Sequence, residues 1–95
     1  MSVTSIGEIL RSCQRAFLFN ISGNVKSISI KRINQTLLIR TFFYSNPTAH
    51  DKDLITDAGG EVYGDFEDVD DWELEFFIST DDDEYLEYLI FARAD

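Results

Sequence analysis

The sequence predicts an α+β fold in which two helices cover an antiparallel sheet of about four strands, in the order α-β-β-α-β-β. Three observations carry that reading. Two segments space their apolar residues helically, four segments are strand-like runs, and the strands come in pairs on either side of the second helix. With 95 residues, 44% of them hydrophobic and 14% aromatic, the chain is expected to form a single domain over 1–95 with one thin core.

The first helix is expected over 6–20. Ser5-Ile6-Gly7-Glu8 has capping-box spacing, in which the serine hydroxyl accepts from the Glu8 N–H and the carboxylate accepts from the serine N–H. Ile6, Ile9, Leu10, Cys13 and Phe17 follow on one face, with Glu8, Arg11, Ser12 and Arg15 on the other. Gly23 and Asn24, which tolerate left-handed backbone, are expected to end it. Cys13 lies on the apolar stripe and reads as a buried, unreactive thiol.

Residues 25–33 and 36–45 are rich in β-branched and aromatic residues, and Asn34-Gln35 between them makes a hairpin. The first strand alternates around Ile28 and Ile30. The second is apolar on both faces, Leu37, Ile39 and Phe43 against Leu38, Phe42 and Tyr44. That predicts a central strand under a helix on one side and partly buried contacts on the other. Lys26, Lys31, Arg32 and Arg40 belong to these strands and read as ion-pair partners for nearby acids, ahead of an RNA-binding patch.

Asn46-Pro47 reads as an N-cap followed by proline at the first helical position, which starts a second helix over 47–66. Leu54, Ile55, Ala58, Val62 and Phe66 keep helical spacing through it. Gly59-Gly60 costs about 1 kcal/mol per glycine relative to alanine, so a break there is the alternative. After the acidic link at residues 67–71, Trp72, Leu74, Phe76 and Ile78 alternate as one buried face of a strand. Asp81-Asp82-Asp83-Glu84 reads as a polar turn. Residues 85–93 then return as the last strand, pairing with the one before as a second hairpin.

Charge is distributed unevenly. Through residue 40 six basic residues face one acid, whereas from Asp51 to Glu87 sixteen acids face only Lys52; the whole chain carries −10. Phosphate contacts require Lys and Arg, so neither nucleic acid nor an anionic membrane is an expected partner. A cationic protein surface is. The N-terminus lacks a basic and apolar leader, no apolar run is long enough to span a membrane, and a lone cysteine fits a reducing compartment, so a soluble cytoplasmic protein is expected.

Catalytic schemes find little support. His50 is expected on the surface at the start of the second helix, and no nucleophile elbow or phosphate-cradling loop is present. Carboxylate pairs are too abundant to single one out. The 81–84 acids lack the glycine and distal Glu of a calcium loop, so no metal or other cofactor is expected. Recognition by an acidic, aromatic-bearing surface remains, and its candidate residues are Tyr63, Asp65, Glu67, Asp68, Asp70, Asp71, Trp72, Asp81, Asp82, Asp83, Glu84 and Tyr85.

Several segments together carry a resemblance covering nearly the whole chain: Gly23-Asn24-Val25, Leu37-Leu38-Ile39-Arg40, Phe42-Phe43-Tyr44, Glu61-Val62-Tyr63-Gly64-Asp65-Phe66 and the aromatic strand ending in Arg93. The chain resembles the small acidic immunity proteins of bacterial contact-dependent growth inhibition and related polymorphic toxin systems. The resemblance implies a non-enzymatic cytosolic inhibitor that binds the toxic domain of its cognate system as a heterodimer, and is monomeric when free. Combined with the charge, it points to a basic nuclease as target, a ribonuclease first, whose cationic substrate cleft the acidic surface covers. The alternative is an acidic adaptor or subunit that binds a basic protein without inhibiting it.

Overall fold

A computed structural model describes residues 5–18 and 20–93. The expected absence of a leader at residues 1–4, and position 19 of the predicted first helix, lie outside the described residues.

Helix α1 runs Ile6–Phe17. Its capping box forms as expected, with Ser5 Oγ accepting from the Glu8 N–H at 3.2 Å and Glu8 Oε2 accepting from the Ser5 N–H at 3.1 Å. The helix stops earlier than predicted. Asn20 Nδ2 donates to the Ala16 carbonyl at 2.7 Å and the Asn20 N–H to that of Phe17 at 3.0 Å, satisfying the last turn before Gly23 is reached. No glycine among the described residues has positive φ. Asn34, at 56°, is the residue that does, and it closes the two-residue turn between β1 (Val25–Ile33) and β2 (Thr36–Phe43).

Helix α2, Ala49–Asp65, starts two residues later than Asn46-Pro47 implies. Thr48 is the N-cap, because Asp51 three residues on completes a second capping box: Thr48 Oγ1 accepts from the Asp51 N–H at 3.1 Å, and Asp51 Oδ2 from the Thr48 N–H at 2.9 Å. The helix is continuous through Gly59-Gly60. A Cβ on Gly59 would lie 2.5 Å from Trp72 Cζ3 and 3.3 Å from Ile39 Cδ1, so glycine there is what lets the helix sit against the sheet.

β3 (Asp71–Ile78) and β4 (Tyr88–Ala92) complete a four-stranded sheet of order β3-β2-β1-β4. The expected second hairpin does not form, and the sheet is mixed rather than antiparallel. β3 runs parallel to β2, from Thr36 beside Asp71 to Phe43 beside Ile78, with α2 as the crossover. β4 pairs antiparallel with β1 on the opposite edge. The physical reason lies in the nine residues 79–87: extended, they reach about 30 Å, ample for the three strand spacings of about 4.8 Å each that separate the two edges.

The two faces of the sheet differ. Ile28, Ile30, Leu37, Ile39 and Phe43 are buried with Ile9, Cys13 and Phe17 of α1 and Ile55 and Val62 of α2. Each such side chain contributes about 1.5–3 kcal/mol on burial. Alternation sends Ser29, Arg40 and Phe42 to the other face, and the 79–87 segment lies over them as a strap. The Leu86 N–H donates to Ser29 Oγ at 2.9 Å, Arg40 Nη1 donates to the Glu84 carbonyl at 2.9 Å, and the Tyr85 ring meets Phe42 edge-on at 6.3 Å. The second strand is thus apolar on both sides because both are covered.

Candidate partner-binding surface

The strap is held by its first turn. Asp83 Oδ2 accepts from Ser79 Oγ at 2.6 Å, Asp83 Oδ1 accepts from the Thr80 N–H at 2.7 Å, and Lys26 Nζ stands 3.7 Å from the same carboxylate. Burial pushes the Asp83 pKa up, yet the donors from Ser79, Thr80 and Lys26 outweigh it and hold the group below the usual carboxylate range. The Asp83 side chain is 6% exposed and faces inward. Its neighbours Asp81, Asp82 and Glu84 are exposed, as is Tyr85 at 46%.

Beside the strap lies an open groove of about 390 Å³, lined by Arg40, Phe42, Phe77, Ile78, Thr80, Asp82 and Glu84. Its floor is aromatic, with Phe42 and Phe77 centroids 5.6 Å apart. Arg40 braces it: Nε donates to Glu75 Oε1 at 3.0 Å, and the guanidinium carbon stands 5.4 Å from the Phe77 centroid. Phe77 and Ile78 remain 42% and 50% exposed. An apolar patch with a carboxylate rim suits a partner segment that carries aliphatic side chains and cations.

The other candidates gather at the opposite end of β3, about 23 Å away along the strand. Tyr63 stacks on Trp72 at 6.1 Å and its hydroxyl donates to the Asp70 carbonyl at 3.1 Å. Trp72 packs against Gly59, so this pair is tied into the α2–β3 contact. Asp68 takes Arg32 Nη2 at 2.9 Å. Asp65 takes Ser12 Oγ at 2.5 Å and Arg15 Nη2 at 3.3 Å, in a depression between the two helices. That contact explains why Ser12, placed on the polar face by spacing, is buried. Glu67, Asp70 and Asp71 project to solvent. The twelve candidates therefore form two clusters rather than one patch, and Asp65, Asp68 and Asp83 hold ion pairs of their own.

Three of the four strand cations named above, Lys26, Arg32 and Arg40, are in ion pairs as expected. Lys31 is exposed and holds none among the described residues. A further set of acids outside the candidates, Asp53, Asp57 and Glu61, lies exposed along the outer face of α2. Their four-residue spacing was a usable signal. The groove residues Arg40, Phe42 and Phe77 were missed because only the β2–β3 pairing brings them together.

Asp51, by contrast, is structural. Its pKa is held at about 2, first by the Thr48 backbone N–H and then by side-chain donors around it. Asn24 Nδ2, one of these, donates at 3.1 Å and ties the start of α2 to the turn before β1. Cys13 is fully buried, and burial pushes its thiol up to about 12. His50 is exposed in the first turn of α2. No helix among the described residues is long and apolar enough to cross a membrane.

No curated protein matches the chain. The sequence pattern that defines the MafI2 immunity proteins does match, over residues 6–95, and so takes in both helices, all four strands, the strap and the groove. That match covers nearly the whole chain, and the chain belongs to the MafI2 immunity protein family.

Proposed function

We propose that this protein neutralises the toxic domain of a cognate contact-dependent or related polymorphic toxin, that the domain is a basic nuclease with a ribonuclease favoured, and that an acidic surface covers its substrate cleft without chemistry of its own. Family membership supports toxin neutralisation. The observation that carries the finer reading is how the charges are disposed. Four ion pairs take up Arg15, Lys26, Arg32 and Arg40, while Asp53, Asp57, Glu61, Asp71, Asp82 and Glu84 stay exposed without a cation of their own among the described residues. A nuclease cleft is lined with Lys and Arg to hold phosphate, and carboxylates meet the same groups.

The test is reconstitution in the cytoplasm and in vitro. The purified chain should form a one-to-one complex with the C-terminal domain of the toxin encoded beside it and abolish cleavage of RNA. Association should slow by about one to two orders of magnitude between roughly 0.02 and 0.5 M salt as steering is screened. A complex that leaves cleavage intact would replace occlusion by non-inhibitory binding.

A further inference from the structure

β3 is an edge strand with an unused side. The Ser79 N–H donates inward to the Phe43 carbonyl at 2.7 Å, so strand alternation turns the N–H and C=O groups of Leu74, Phe76 and Ile78 away from β2. Among the described residues no strand pairs with them on that side, and no turn or loop backbone bonds to them. Exposed edges of this kind are normally blunted by charged side chains, proline or a bulge. Here the strand has no proline and no bulge, and its charges are of one sign, all acidic: Asp71, Glu73 and Glu75.

Resting on the toxin-binding reading above, we propose that this edge, from Leu74 to Ile78, receives an extended segment of the toxin domain as a fifth strand, and that the segment carries both apolar residues and Lys or Arg on the side that faces the groove. Backbone hydrogen bonds supply the docking, and side-chain pockets supply the choice of partner. One face of the added strand lies beside Phe77 and the groove at Phe42 and Ile78, where apolar side chains are received. Its cations meet Glu73, Asp82 and Glu84, which are exposed and hold no ion pair among the described residues. Charge selects against a second copy of this chain. In the antiparallel registers of fullest overlap, Glu75 of one copy lies opposite Glu75 or Glu73 of the other, and like charges directly opposed are destabilising.

The experiment is amide hydrogen exchange, resolved by residue with NMR, on the full chain alone and saturated with an inactive variant of the toxin domain encoded beside it. The expected result is at least tenfold slower exchange at Leu74, Phe76 and Ile78 in the complex. Ile78→Pro, which removes an outward N–H and leaves the inward bonds in place, should weaken the complex at least tenfold more than Ile78→Ala. A tight complex in which those three amides exchange as in the free chain overturns edge docking and leaves toxin binding standing. Failure to form any complex overturns both.

Discussion

Gly59 and Trp72 are a matched pair: the helix has no side chain at the point where the indole of the neighbouring strand presses against it, and a Cβ there would lie 2.5 Å from Trp72 Cζ3. Gly59→Ala should therefore destabilise the fold by about 1–3 kcal/mol through overpacking, despite the better helix propensity of alanine. Gly60→Ala meets Trp72 at 3.9 Å and should stabilise by up to about 1 kcal/mol. Chemical denaturation of the two variants side by side checks this, and replacing Trp72 by Leu should rescue the first.

Acid sensitivity should centre on Asp51. Its pKa falls from 3.8 to about 2 on folding, so its contribution is present above about pH 4 and is lost as pH falls toward 2. Asp51→Asn should lower stability by about 1 kcal/mol at neutral pH, as loss of a helix cap does. Between pH 4 and 2 the gap between the two proteins should close. Urea melts across that window measure it.

Thr41 is fully buried in β2, and its hydroxyl has no hydrogen-bond partner among the described residues. Thr41→Val keeps the shape and removes the unpaired group, so it should stabilise by about 1 kcal/mol. In a domain of this size that raises the thermal midpoint by about 4–8 °C. Differential scanning calorimetry reads it directly.

Adjacent acids on the strap should separate cleanly. Asp82→Asn and Glu84→Gln should weaken toxin binding and leave the thermal midpoint unchanged or raised, because both residues are exposed. Asp83→Asn should lower the midpoint by several degrees, since that carboxylate holds Ser79, Thr80 and Lys26. Paired binding and melting measurements on the three variants test the division.

Cys13 should be silent in the native state. With the thiol buried and its pKa pushed up to about 12, a disulfide reagent should label it at the rate of unfolding, and at once in concentrated guanidinium chloride.

What the sequence made legible was local. Capping spacing located α1, alternation located β3, and Asn34-Gln35 located the hairpin, because each signal involves residues within a few positions of one another. Partner choice was not legible. Trp72 to Ile78 reads as a strand with one buried face in either arrangement, and nothing local says that it lies parallel to β2 or that residues 79–87 leave for the far edge. The same limit governs the surface. Asp82 and Asp83 are chemically alike in sequence, and the ion pair with Lys26, set by tertiary placement, separates them. The start of α2 falls at Thr48 rather than at Asn46-Pro47 because the two signals compete, and the reciprocal pair of hydrogen bonds between Thr48 and Asp51 wins.

The far-edge strand also sets when the molecule can come into being. Arg93 bonds through Nε to the Val25 carbonyl across 68 positions of sequence, and through its N–H to that of Lys26. During synthesis, helix α1 and the β1–β2 hairpin emerge with their own contacts available, while the sheet waits for residues 88–93. Closing so long a loop is slow relative to local pairing. The far end of the strap is anchored only when β4 docks on β1, so a chain cut short of residue 88 keeps every residue that lines the groove but loses the strand that fixes the strap across the sheet.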